Sequence, residues 1–209
     1  MSAPIKLFLA SSNPGKLREF RVLAATAAQH ATNALNAAVE INLLPEFDSL
    51  PSFGEDAPTF AENAVGKTLH YSQLGEGRVF ADDSGLVVPV LGGAPGVHSA
   101  RYAGPNATNA ERIAKLLNEL RGKAGAERAA HFICAIALAE RGRAVAIVTA
   151  RVDGEILESP RGGGGFGYDP VFYFPPLQKT FAELSPEEKN QYSHRGKAFR
   201  KLLKALPNS

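Results

Sequence analysis

A single cysteine, Cys134, is the only thiol in 209 residues. One thiol excludes an internal disulfide framework and any cysteine-rich zinc site. Its place in the apolar run His131-Phe-Ile-Cys-Ala-Ile-Ala-Leu138 reads as a core thiol rather than a nucleophile. Long apolar runs are missing too. The best of them, residues 129–139, falls well short of the ~20 residues a bilayer requires. Residues 5–10 are apolar but too short for a secretory core, and Lys16, Arg18 and Glu19 follow soon after. These absences predict a cytoplasmic protein without a membrane partner. Charge of one sign is equally scarce. The 23 Lys+Arg and 21 Asp+Glu leave a formal charge of +2, which excludes bulk attraction to nucleic acid or anionic membrane. Several catalytic signatures are absent as well. There is no Gly-x-Ser-x-Gly elbow, no dinucleotide-binding glycine fingerprint after the first strand, and no metal-ligand spacing among His30, His70, His98, His131 and His194.

What is present fits a soluble globular chain: hydrophobic residues make up 44% and charged residues 21%. The length favours one domain over residues 1–209, with room for two lobes. The near-neutral sum conceals a segregation. Residues 45–66 hold five acids and no Lys or Arg, whereas residues 189–209 hold six bases and no acid. Two solvated faces account for that pattern, and so does an acidic cation site with a basic anion site serving one ligand.

Helices and strands interleave. Strands are predicted over residues 6–10, 40–44, 79–81, 86–90, 129–139, 144–152, 155–158 and 171–174. A helix follows Asn13-Pro14, a capping residue and a proline suited to the first turn. Further helices open at the capping boxes Thr59-x-x-Glu62, Thr108-x-x-Glu111 and Ser185-x-x-Glu188, the last region broken near Ser193. The alanine-rich residues 24–38 read as a helix extension followed by a loop. The class is α/β with a mixed sheet, because two hairpins are implied.

Four segments can carry chemistry. In Ser11-Ser12-Asn13-Pro14-Gly15-Lys16 a strand gives way to a helix start, whose backbone N–H groups and dipole favour an anion. Lys16 adds a mobile cation; the Walker spacing is absent, and an ordinary capped turn fits equally well. In Asp82-Asp83-Ser84-Gly85 adjacent carboxylates repel unless a cation or a proton relieves them. Mg²⁺ prefers such oxygens, and strand alternation lets only one of the two reach it directly. Glu55, Asp56 or Glu62 can supply a second carboxylate, Glu62 being also the capping-box partner.

The third segment, residues 162–170, has five glycines in its first six positions, with Phe166 and Tyr168 available to stack on a planar ring. A hairpin loop with core-filling aromatics is the alternative. Ser193-His194-Arg195-Gly196, after Lys189, offers donors for a carbonyl on a base edge, or simply a charged helix end. Together these parts describe a nucleoside triphosphate with Mg²⁺, and Asp83 as the group that activates water.

The motifs Ser11-Ser-Asn-Pro-Gly-Lys16, Thr59-Phe-Ala-Glu-Asn63, Ala81-Asp-Asp-Ser-Gly-Leu86, Gly92-Gly-Ala-Pro-Gly96, Ser99-Ala-Arg-Tyr102, Gly164-Gly-Phe-Gly-Tyr-Asp-Pro170 and Ser193-His-Arg-Gly196 run in one order across nearly the whole chain. In that order the sequence closely resembles the inosine/xanthosine triphosphate pyrophosphatase family, the dITP/XTP diphosphatases. The resemblance implies Mg²⁺-dependent hydrolysis of ITP, dITP or XTP to the monophosphate and pyrophosphate. It also implies an elongated mixed sheet with flanking helices, two lobes around a central nucleotide cleft, and a homodimer. Carried over by position, Asp83 is the metal-linked proton acceptor, Lys16 a catalytic cation and Glu55 the metal partner, with Asp56 as its alternative. Ser11, Ser12, Asn13, Pro14, Gly15, Lys16 and Ser84 hold the triphosphate. Phe166, Gly167, Tyr168, Asp169, Lys189, His194 and Arg195 form the base pocket. Lys67, a helical turn past Asn63, faces the phosphates in the same reading, and residues 24–38 look like an insertion. Two rivals remain: a pyrophosphatase acting on modified pyrimidines or dUTP, and a non-enzymatic nucleotide or RNA binder.

Overall fold

The computed structural model describes residues 4–29 and 38–206. Seven strands, β1 (Ile5–Leu9), β2 (Val39–Leu43), β3 (Arg78–Val87), β4 (Ala129–Glu140), β5 (Arg143–Ile156), β6 (Phe172–Phe174) and β7 (Lys179–Thr180), form one sheet in the order β2-β1-β3-β4-β5-β6-β7. Pairing is parallel for β1 with β2 and β3, and antiparallel for β5 with β6 and β6 with β7. The sheet is mixed and the class α/β, as the interleaved elements predict. Among the described residues the α-helices are α1 (Pro14–Gln29), α2 (Phe60–Ser72), α3 (Asn109–Glu119), α4 (Pro186–Tyr192) and α5 (His194–Ala205), with short 3-10 turns between elements. None of the described helices is long and apolar enough to cross a membrane. The alanine-rich stretch continues α1 as far as Gln29, and residues 30–37 of it lie outside the described residues.

The chain divides into two compact units. The first comprises the chain up to Asp83, Cys134–Ala150 and the residues from Arg195 onward. Its core packs Leu7, Leu9, Phe20, Ile41, Phe80, Ile136, Phe199 and Leu202, with Cys134 fully buried among them. Phe20 meets Phe80 edge to face at 5.0 Å, a favoured aromatic geometry. The second unit comprises Ser84–Ile133 and Arg151–His194. Its core packs Leu86, Leu116, Phe132, Val152, Tyr168, Phe172 and Phe181.

Two strand expectations change. The strand predicted over residues 79–81 and the start of that over 86–90 are one, β3, which runs straight through Asp82-Asp83-Ser84-Gly85 and ends at Val87; Pro89–Leu91 is a 3-10 turn instead of strand. Burying a carboxylate is costly unless it is paired and hydrogen-bonded, and both aspartates have partners. The strands predicted over 144–152 and 155–158 are likewise one, β5. Gly154 does not break it, because the glycine serves a close approach instead: a Cβ there would lie 2.4 Å from the Tyr173 carbonyl oxygen. The break near Ser193 is present, with Ser193 extended at φ −65°, ψ 157° between α4 and α5.

Candidate active site

In the first unit the strand-to-helix turn is locked by its own side chains. Asn13 Oδ1 accepts hydrogen bonds from the Gly15 and Lys16 amides (2.8 and 3.3 Å), and Ser11 Oγ accepts from Asn13 N (3.2 Å). Pro14 begins α1, Gly15 is buried, and Ser12 is exposed. Lys16, expected as a mobile cation, is held: its Nζ lies 2.9 Å from Asp82 Oδ1 and donates to the Asp82 carbonyl at 3.2 Å.

Asp82 is fully buried, and its Oδ2 receives Arg195 Nε and Nη2 at 3.4 and 3.3 Å. Arg195 Nη1 binds Glu19 on α1. Burial favours protonation of Asp82, but Lys16, Arg195 and Lys67 outweigh it and hold the carboxyl well below the usual range. Arg195, sequence-placed in the base pocket, thus has its guanidinium on Asp82 and Glu19.

Asp83, the next residue, is in a different environment. Its Oδ2 accepts from Asn63 Nδ2 at 3.0 Å, and the same Asn63 clasps the backbone of Ala57 through Ala57 N to Oδ1 (2.9 Å) and Nδ2 to Ala57 O (3.2 Å). Burial raises the Asp83 carboxyl most. Lys16 pulls it down, Glu55 pushes it up, Asn63 and Lys67 pull it down, and the net result is a pKa pushed up to about 6. Adjacent carboxylates with divergent pKa values are the pattern of an acid–base site.

The long loop before α2 is seated by a missing side chain. A Cβ on Gly66 would stand 2.5 Å from the Phe53 ring, so glycine on α2 makes room for Phe53. Tyr71 Oη accepts from Phe53 N (3.3 Å), and the loop that follows carries Glu55 to Lys67 Nζ at 2.5 Å. Burial pulls the Lys67 ammonium down, yet Glu55, Asp82 and Asp83 together leave it raised. Asp56, the alternative to Glu55, is exposed.

In the second unit the glycine-rich loop is fastened from one side. Asp169 Oδ2 accepts from Phe166 N (2.7 Å) and from Lys189 Nζ (2.6 Å), and Lys189 lies 4.9 Å from the Phe166 ring centre. Gly165 has φ +69°, and a Cβ there would overlap that Asp169 carboxylate, so only glycine fits. Gly167 has φ +65°. Lys189 is buried on α4, which opens with the Ser185–Glu188 capping box. Tyr168 belongs to the core rather than to a stacking surface: it is buried, and its hydroxyl donates to the Ser99 carbonyl at 2.9 Å. The His194 ring stacks on Phe132 at 4.6 Å and 9°. Ser84 is half-buried in β3.

The structure therefore brings Lys16, Asp83, Glu55 and Lys67 into one electrostatic group, and Phe166, Asp169 and Lys189 into another. Sequence reasoning missed Asn63 and Glu19. Asn63 lies inside the Thr59-Phe-Ala-Glu-Asn63 motif, where its spacing assigns it no partner; Glu19, one turn beyond Lys16 on α1, carries no sequence signal. Among the described residues no three His, Cys, Asp or Glu side chains form a metal cage. Two carboxylates, Asp83 and Glu55, fit a hard divalent cation that takes its other oxygens from phosphate and water.

The sequence profile of the Ham1 family matches residues 7–205. The chain belongs to the Ham1 family. A dITP/XTP pyrophosphatase of Geobacillus kaustophilus is 52% identical over 197 residues, covering 94% of this chain and 92% of that one. Another from Gloeobacter violaceus is 52% identical over 198 residues, with 94% and 92% covered. The solved structure of a Ham1 protein from Coxiella burnetii superposes with a TM-score of 0.81 at 42% identity, covering 95% of this chain and 96% of that one. The mixed sheet with flanking helices is thus an α/β fold shared with that Ham1 structure.

Proposed function

We propose that this Ham1-family chain hydrolyses the non-standard purine nucleoside triphosphates ITP, dITP and XTP to the monophosphate and pyrophosphate, with Mg²⁺. The observation that carries the reading is the split between adjacent aspartates: Asp82 ionised and locked to Lys16 and Arg195, Asp83 pushed up to about 6 and oriented by Asn63. In the metal-free site such a group is mostly carboxylate at neutral pH, and a cation held beside it would lower its pKa further, so it would take a proton from a water that the same cation acidifies. Asp83 takes the proton of a water whose oxygen attacks the α-phosphorus. The bond from that phosphorus to the bridging oxygen breaks, and pyrophosphate leaves.

Glu55 and Asp83 would hold Mg²⁺, which would neutralise phosphate charge when bound. Lys16, fixed by Asp82, and Lys67 offset the remaining charge. Ser11, Ser12, Asn13, Pro14, Gly15 and Ser84 line the triphosphate. Phe166 stacks on the base, Gly167, Tyr168 and Asp169 shape that loop, and Lys189 and His194 present donors to the 6-keto oxygen. Adenine would set its amino group against those donors, and an unpaired buried polar group is costly. Arg195 serves by fixing Asp82. The same reading makes the enzyme a cytoplasmic homodimer built as one domain, with no nucleic-acid or membrane partner.

Products measured from ITP, XTP, GTP, ATP and dUTP, with and without Mg²⁺, test the reading. Pyrophosphate released chiefly from ITP and XTP is expected. Orthophosphate in its place, or a preference for dUTP, overturns it.

A further inference from the structure

One matched motif has no part in the reaction as described: Ser99-Ala-Arg-Tyr102, in the second unit. Its geometry is that of a bracket. Ser99 is buried, and its hydroxyl accepts from Leu86 N (2.9 Å) on β3 while donating to Gly96 O (2.6 Å). The carbonyl of the same residue accepts the Tyr168 hydroxyl at 2.9 Å. One small residue thus binds β3, its own 3-10 turn and the end of the glycine-rich loop.

The other side of the bracket is anchored to α3. Arg112 Nη1 donates to Ala100 O (2.7 Å), Lys115 Nζ donates to Tyr102 O (2.7 Å) and lies 4.3 Å from the Tyr102 ring centre, and the Tyr102 hydroxyl donates to Glu119. α3 is itself fixed at its start by the Thr108–Glu111 capping box. Ser99 therefore stands on a braced segment.

The loop it touches needs such a support. Five glycines in six positions give residues 162–167 few side chains with which to pack, and glycine backbone is the most expensive to order. Phe166 is the one side chain among them. Its amide is fixed by Asp169, and Asp169 follows directly on Tyr168, whose ring is in the core and whose hydroxyl is on Ser99.

We infer that Ser99 is a positioning residue for base recognition: through Tyr168 it sets where Phe166 and Asp169 stand, and so controls affinity for the purine end of the substrate. This rests on the assignment of Phe166 and Asp169 to the base pocket. Ser99 touches no reacting atom.

The test compares Ser99→Ala, Tyr168→Phe and the double variant in the full chain with Mg²⁺. Tyr168→Phe, which removes one hydrogen bond, is expected to raise KM for ITP roughly three- to tenfold, and Ser99→Ala, which unseats the carbonyl that accepts it, to raise KM by no more than that. The inhibition constant of IMP should rise in parallel and that of pyrophosphate should not. Ser99→Ala keeps the carbonyl that Tyr168 uses and loosens its seat on Leu86 and Gly96, so the double variant should be no worse than Tyr168→Phe alone if that seat acts on the loop only through the Tyr168 hydroxyl. A lowered melting temperature with KM and the IMP constant unchanged overturns the inference, and so does full additivity. Tyr168→Phe keeps the ring in the core and carries the test if Ser99→Ala fails to fold. A wild type that does not turn over ITP refutes the proposed function itself; normal wild-type turnover with unmoved variants refutes only the role of Ser99.

Discussion

Asp82 and Asp83 are neighbours in β3 with opposite electrostatic surroundings. Asp82 is fully buried between Lys16 and Arg195, and Asp83 is buried against Asn63 with Glu55 acting on it. Strand alternation alone separates the two side chains. A repeated residue type thereby serves two purposes, one structural and one chemical.

Asp83→Asn keeps the shape and removes the base. We expect kcat to fall by roughly 10²–10⁴, the usual contribution of a general base, with nucleotide binding retained. Steady-state pyrophosphate release and equilibrium binding of ITP measure the two effects. Unchanged turnover would sink the mechanism.

The same substitution reports on stability. The Asp83 pKa is raised to about 6 in the fold, so between about pH 4 and pH 6 the folded chain binds more protons than the unfolded one. Its contribution to stability is present at low pH and is lost as pH rises through that interval. Asp83→Asn should then be more stable than wild type above about pH 6.5, by at most ~3 kcal/mol, and equal to it below about pH 4. Urea unfolding in EDTA at several pH values checks the sign. Asp82 runs the other way: its lowered pKa gives stability present above about pH 4 and lost as the pH falls further.

Asp82→Asn leaves the buried Arg195 and the half-buried Lys16 short of a counter-charge. Breaking a buried ion pair from one side costs about 3–5 kcal/mol. Glu19→Gln should cost less, because Glu19 is partly exposed. Denaturant midpoints compare them, and a loss under about 1 kcal/mol for Asp82→Asn would mean that Lys16 and Arg195 find other partners.

Phe166→Ala should weaken ITP through KM far more than through kcat. Base stacking is worth about 1–3 kcal/mol per base, or roughly 5- to 150-fold. Equal losses in kcat and kcat/KM would instead place Phe166 in the transition state.

Removing the divalent cation with EDTA should abolish turnover. Glu55→Gln should raise the Mg²⁺ concentration for half-maximal activity by at least about tenfold, a loss typical even of outer-shell partners. If Asp56→Asn has that effect and Glu55→Gln does not, the neighbour is the ligand.

The sequence shows the local parts because each is written in consecutive residues. Asn13-Pro14, the three Thr/Ser-x-x-Glu starts and the break at Ser193 depend on neighbours a few positions away, and all are found. The reciprocal at Thr59 differs only in its donor, the hydroxyl reaching Glu62. The failures are long-range. Whether Asp82 can stay inside a strand depends on Arg195, 113 residues away, and nothing local to β3 signals that partner. Tyr168 looked like a stacking residue beside Phe166 until Ser99, 69 residues earlier, claimed its hydroxyl. Residues 144–152 and 155–158 read as two strands because the Tyr173 backbone that Gly154 admits between them is distant in sequence.

The lone thiol has a use beyond packing. Cys134 is fully buried 4.0 Å from Asp82 Oδ2, and burial first and Asp82 next push its pKa well above the ordinary range. A thiol in that state is inert to alkylating reagents until the core around it opens. Because no second cysteine competes for label, the labelling rate is a clock for one event, the transient exposure of the ion network behind β3. Timed with and without ITP, it reads how far the substrate quiets that opening.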